Sequence, residues 1–124
     1  MLRQTLVETM AKAGRPLNIT EILDDNPGTS QSSAYRNISV LIEAGAVQRV
    51  SGSDDHGRFE LSEDVLGHHH HHLVCTTCGR VDDLVPSPAL ERAFAEAARR
   101  AARKADFDVT EHRFDLIGLC AQCR

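Results

Sequence analysis

Apolar residues fall on a helical period through the first half of the chain. Leu2, Leu6, Val7 and Met10 form one stripe over residues 2–13, and Gly14 with Pro16 closes it. Asn18 or Thr20 can cap a short second helix through Leu23, and residues 24–30 are a turn by composition. Ser30 is the predicted cap of a third helix that runs to about Ala44 and stops at Gly45. On that helix Ala34, Ile38, Leu41 and Ile42 are expected to face inward, which leaves Ser32, Tyr35, Arg36 and Ser39 on the other side. Val47 to Val50 and Arg58 to Leu61 then read as short strands joined by the polar loop 51–57. Three helices and a two-stranded wing predict a winged helix-turn-helix.

The second half has a different order. His69 to Val74 and Arg80 to Val85 are predicted strands, and Pro86 and Pro88 open a helix from about Ala89 to Ala105. Its apolar stripe is Leu90, Phe94, Ala97, Ala98 and Ala101, with Arg99, Arg100 and Arg103 on the outer side. Val109 to Ile117 alternates like a further strand. The predicted class is α+β throughout. The junction falls at residues 62–67, giving a winged-helix domain over 1–66 and a small α+β domain over 67–124.

Cysteine changes the picture most. The four cysteines form two Cys-x2-Cys pairs, Cys75 with Cys78 and Cys120 with Cys123. Two such turns on separate segments supply a tetrahedral four-thiolate zinc site, and they leave no thiol for nucleophilic catalysis. With no Trp and 4% aromatic residues the core is small and aliphatic, so a structural metal is a valuable staple. No apolar run approaches the ~20 residues that span a bilayer, and no signal-peptide core opens the chain. A cytosolic location is expected, where paired cysteines bind metal rather than form disulfides.

A run of five histidines, His68 to His72, leads directly into the strand that carries Cys75. On a strand, His70 and His72 point to one face and His69 and His71 to the other, so one segment can feed two metal sites. Glu60, Asp83 and Glu91 are carboxylates available to complete them, and His112 stands alone on the last predicted strand. The net charge of −4 argues against broad electrostatic binding of nucleic acid. Residues 1–66 hold six Lys and Arg against ten Asp and Glu, and residues 67–124 hold eight of each. DNA contact then rests on a few placed groups, of which Tyr35 and Arg36 suit phosphate and base edges. Bound divalent cations would shift the balance upward.

Taken together, "SSAYRNISVLIEAGAV", "RFEL", "HHHHHLVCTTCGRV" and "HRFDLIGLCAQC" resemble the ferric uptake regulator family of metal-dependent transcription factors over nearly the whole chain. The resemblance implies a DNA-binding winged helix followed by a dimerisation domain. It assigns a structural zinc to Cys75, Cys78, Cys120 and Cys123. It places a regulatory site at the hinge on Glu60, His70, His72 and Asp83, and an additional site on His69, His71, Glu91 and His112. It marks Tyr35 and Arg36 for DNA contact, with Ser32, Ser33 and Asn37 beside them. Three features depart from the family pattern. The N-terminus is short, and Leu17 and Asn18 stand where many members have a histidine ligand, with His56 in the wing loop as the candidate substitute. The loop 62–67 is long and lacks the cysteine of zinc-sensing members.

The expected function is a cytoplasmic homodimeric repressor of metal homeostasis on a palindromic operator in double-stranded DNA. Zn2+ is structural, and a second divalent ion, Fe2+ or Zn2+ or Mn2+, is the corepressor; nitrogen and oxygen ligands exclude none of these. The alternative is a peroxide sensor in which bound iron oxidises a ligand histidine. In the family that behaviour goes with Asp at the position of Glu60. A zinc hydrolase is a more distant rival, since no His-Glu-x-x-His pattern is present.

Overall fold

A computed structural model describes residues 1–52 and 57–124. The first helix, α1 (Leu2–Ala13), is followed by a two-residue strand β1 (Leu17–Asn18) and α2 (Ile19–Asp24). Asn18 caps α2 in a reciprocal box: its side chain accepts from the Glu21 N–H, and the Glu21 carboxylate accepts from the Asn18 N–H. Ser30 Oγ accepts from Ser33 N and starts α3 (Gln31–Glu43). The helix ends where Gly45 adopts φ 79°, with Gly45 N–H bonded to Ile42 O and Ala46 N–H to Leu41 O. That double bond is a Schellman ending, and its left-handed residue requires glycine.

Strands β2 (Val47–Ser51) and β3 (Gly57–Leu61) form the wing. The wing sheet has three strands rather than two, in antiparallel order β1-β3-β2. The extra strand pairs Leu17 with Phe59 and Asn18 with Arg58. Leu6, Met10, Leu17, Ile22, Ile38, Val47, Phe59 and Leu61 make the core under helices and sheet. Ile42 departs from the expected inward face and is 38% exposed. It lies in the last turn of α3, one position past Leu41, which packs against the core.

A four-residue helix, α4 (Glu63–Leu66), occupies the junction and ends at Gly67. Beyond it, β4 (His71–Cys75) is the centre of a second sheet, antiparallel to β5 (Val81–Leu84) and parallel to β6 (Asp115–Gly118). The predicted strand over 69–74 begins two residues late. The β4–β5 ladder stops at His71 opposite Leu84, and the approaching Pro86 has no N–H to extend it. Helix α5 (Pro88–Lys104) is capped by Ser87 with Pro88 in its first turn. The strand expected over 109–117 is confined to Asp115–Gly118, because the Phe114 N–H is bonded to the His71 ring rather than to a neighbouring strand.

The two sheets meet through Val50, Val74 and Val81, a small buried cluster that sets the wing against β4 and β5. The β6 edge of the second sheet is open: Leu73 and Leu116 are exposed on one face, Ile117 on the other, and Leu119 just after the strand is exposed too. No α5 residue is buried either. Among the described residues, no helix is long and apolar enough to cross a membrane.

Candidate metal centres

Among the described residues, three groups of four ligand-type side chains converge, each with its ligand atoms within 4.8 Å of one another. The first is Cys75, Cys78, Cys120 and Cys123. Cys75 ends β4, and a turn closed by Gly79 N–H to Cys75 O carries Cys78 back beside it. The parallel register sets Gly118 next to Cys75, and Thr76 N–H to Gly118 O then delivers the second knuckle. Cys78 Sγ and Cys120 Sγ are 3.8 Å apart, and none of the four is disulfide-bonded. A tetrahedron with 2.3 Å zinc–sulfur bonds has edges of about 3.8 Å. Backbone N–H groups of Cys78 and Cys120 lower the Cys75 thiol to about 6. The Cys120 thiol and burial push Cys123 up to about 12. The first thiolate forms readily and the last only with a cation to neutralise the set.

The second group spans the two halves. Glu60 comes from β3, while His72 lies opposite Asp83 in the β4–β5 ladder. His72 Nε2 is 2.6 Å and His70 Nε2 3.1 Å from Glu60 Oε1, with Asp83 Oδ1 3.6 Å and 3.7 Å from the same two nitrogens. Tetrahedral nitrogen and oxygen ligands at about 2.0 Å have edges of about 3.3 Å, and these distances straddle that value. Glu60 Oε2, His70 Nδ1 and Asp83 Oδ1 are buried atoms with no hydrogen-bond partner among the described residues. Burial works against the Glu60 carboxylate, yet hydrogen bonds from His70 and His72 hold it well below its usual range. Burial, followed by the neighbouring Glu60, pushes Asp83 up to about 7. The hydrogen bond to Glu60 raises His70 against the effect of its burial. Two carboxylates and two imidazoles converging on one point fit a dication. Gln48, unremarked in the sequence, donates to Glu60 Oε1 at 2.8 Å, and Asp115 lies 3.8 Å from His72 Nδ1.

The third group faces α5. The Glu91 carboxylate oxygens lie 2.5 Å from His112 Nε2, 3.0 Å from His71 Nε2 and 3.1 Å from His69 Nε2. Phe94 and Phe114 pack on the imidazoles, and His71 is 1% exposed. Burial lowers His71 despite Glu91. His69 Nε2 and Glu91 Oε1 are 3.1 Å apart, a nitrogen and oxygen pair that one cation can bridge. The strand alternation expected for the histidines sends His70 with His72 to the second group and His69 with His71 to the third. His112 joins them from the irregular segment before β6. A cavity of about 630 Å³ between the wing and the second sheet opens onto both groups.

On α3, Tyr35 is 41% exposed and its ring meets Phe59 edge-on with centroids 6.3 Å apart. Ser32 and Arg36 are exposed, and Ser33 is half-buried. Asn37 is committed inside the protein: it donates to Ser33 O at 2.8 Å and accepts from Arg3 Nε at 3.1 Å. Arg3 therefore joins the outer side of α3, a placement that periodicity within α1 could not reveal. His56 lies outside the described residues.

The chain matches the Ferric uptake regulator family over residues 2–117. It is 33% identical over 100 residues to the peroxide-responsive repressor PerR of Staphylococcus aureus, a stretch that is 81% of this chain and 62% of that protein. The chain thus spans less than two thirds of the length of that curated relative. Its fold is like that of the Helicobacter pylori ferric uptake regulator Fur, a protein with three functional metal binding sites. The TM-score is 0.75 at 23% identity, over 98% of this chain and 78% of that one. It is also like the Vibrio cholerae Fur, with a TM-score of 0.74 and 26% identity over 95% of this chain and 88% of the other. On the matched span, the relatives and the fold, this chain belongs to the ferric uptake regulator family.

Proposed function

We propose that this protein is a metal-dependent DNA-binding transcriptional repressor that acts as a cytoplasmic homodimer in metal homeostasis. Cys75, Cys78, Cys120 and Cys123 hold a structural Zn2+, whose charge neutralises the thiolates and ties β4 to the C-terminus. Glu60, His70, His72 and Asp83 hold the regulatory ion, Fe2+ or Zn2+ or Mn2+, and His69, His71, Glu91 and His112 form an additional site. The carrying observation is that Glu60, on the wing, meets three side chains of the C-terminal half. An ion there would cross-link the DNA-binding half to the rest and favour one arrangement of the two. Apolar Leu73, Leu116, Ile117 and Leu119, exposed around the edge strand β6, are the surface offered to a second copy, and the resulting two-fold pair would present two α3 helices to a palindromic operator. Ser32, Ser33, Tyr35 and Arg36 are the reading surface, and Asn37 holds it together with Arg3.

The test is Glu60→Ala. Operator binding by the parent should strengthen on adding Fe2+, Mn2+ or Zn2+, and the variant should lose that response while keeping its fold and its zinc. A variant with the parent's metal response would refute the bridge. A second reading, peroxide sensing, is favoured by the similarity to the S. aureus peroxide-responsive repressor. It is separated by mass spectrometry of the iron-loaded protein after peroxide: gain of one oxygen on His70 or His72 with loss of DNA binding supports sensing, and unaltered histidines refute it.

A further inference from the structure

The group on α5 reaches one residue outside itself. His69 Nδ1 lies 2.9 Å from Glu63 Oε1, and Glu63 opens α4 only three positions after Glu60. Hydrogen bonds through this group run in one direction. The Phe114 N–H donates to His71 Nδ1 at 3.3 Å, so the neutral His71 ring carries its proton on Nε2. That Nε2 is 3.0 Å from His69 Nε2 and 3.0 Å from Glu91 Oε2. Glu63 accepts from His69 Nδ1, so the neutral His69 ring carries its proton there and leaves Nε2 as a lone pair. The two rings differ in kind. His69 is ready to coordinate through Nε2, whereas His71 must give up the Phe114 hydrogen bond to do so.

We propose that Glu63 is a positioning residue for this metal group, holding His69 in the tautomer whose Nε2 faces the ion. The proposal rests on the reading that His69, Glu91 and His112 take a metal. Outer carboxylates on metal-bound histidines commonly do this, and their loss weakens binding by 10- to 100-fold. Glu63 also has a consequence for the hinge. The stretch from Glu60 to Glu63 touches both His-rich groups, one through Glu60 and the other through Glu63, so an ion in the α5 group helps to fix the junction as well.

The experiment uses the full chain with zinc on its cysteines and His70→Ala/His72→Ala to silence the hinge group. Co2+ is titrated and its visible absorption followed. Adding Glu63→Ala should weaken Co2+ binding about tenfold. Glu63→Gln should restore most of it, because its carbonyl accepts the same proton, and His112→Ala should abolish the uptake. In the otherwise unaltered metal-free chain, 15N spectra of the histidines should place the His69 proton on Nδ1, and Glu63→Ala should mix the tautomers. This second measurement decides the matter alone where the background variant does not fold. Unchanged Co2+ affinity and an unchanged His69 tautomer in Glu63→Ala would overturn the role of Glu63 and leave the metal reading standing. No Co2+ uptake sensitive to His112→Ala would overturn the metal reading, and the proposal with it.

Discussion

Asp83→Asn should make the metal-free protein more stable and the metal-loaded protein less so. Asp83 sits at about 7 in the metal-free fold against an ordinary 3.8, raised by burial and by Glu60 beside it. A raised carboxyl is at ease in the fold while protonated. Its contribution is therefore intact below pH ~4 and is lost progressively as pH rises from there to about 7, since the unfolded chain ionises it freely. Three pH units of displacement at 1.36 kcal/mol each put the full cost at about 4 kcal/mol. Glu60 draws on the same imidazoles, so the uncharged amide should recover only part of that cost at pH 8. Urea unfolding at pH 8 and pH 4.5 measures it, with zinc left on the cysteines and a weak chelator keeping the hinge group empty. The gain should be present at pH 8 and nearly absent at pH 4.5. Mn2+ should then stabilise the parent far more than the variant. A variant no more stable than the parent at pH 8 without metal would refute the crowding of Glu60 with Asp83.

Cys120→Ser should lower zinc content and melt the C-terminal half, because metal binding is there part of folding; metal analysis with thermal unfolding checks both. Arg36→Ala should weaken operator binding by about 1–3 kcal/mol if it reads a guanine, or lower the salt slope by about one if it holds a phosphate. Anisotropy of labelled operator at several salt concentrations separates the two. Ile117→Glu, on the exposed apolar edge along β6, should shift the protein toward monomer in analytical ultracentrifugation without changing its zinc content.

The parts that were legible in the sequence are those written at short range. Ser30, the α3 stripe and Gly45 mark a helix because cap, period and stop lie within one segment. The cysteines declare a shared site because two identical spacings exist with no other cysteine. The histidine faces follow from strand alternation alone. What was not legible depended on partners far away in the chain. Leu17 and Asn18 make a strand only because Phe59 and Arg58 lie opposite, and two residues carry no period. Residues 109–114 alternate like a strand yet have no ladder, since His71 takes the Phe114 N–H. Ile42 belongs to the apolar pattern of α3 yet stays exposed, while Leu41 beside it packs against the core. Gln48, Glu63 and Asp115 became relevant only once the fold set them beside Glu60, His69 and His72.

The central claim is that one pair of histidines carries the regulatory ion and the other does not. The most direct measurement compares His70→Ala/His72→Ala with His69→Ala/His71→Ala in operator binding titrated against Fe2+, Mn2+ and Zn2+, with metal content read on the same samples. The expected result is a folded, zinc-containing protein in both cases, with the metal response of DNA binding abolished in the first and only reduced in the second. An unchanged metal response in His70→Ala/His72→Ala would contradict the account.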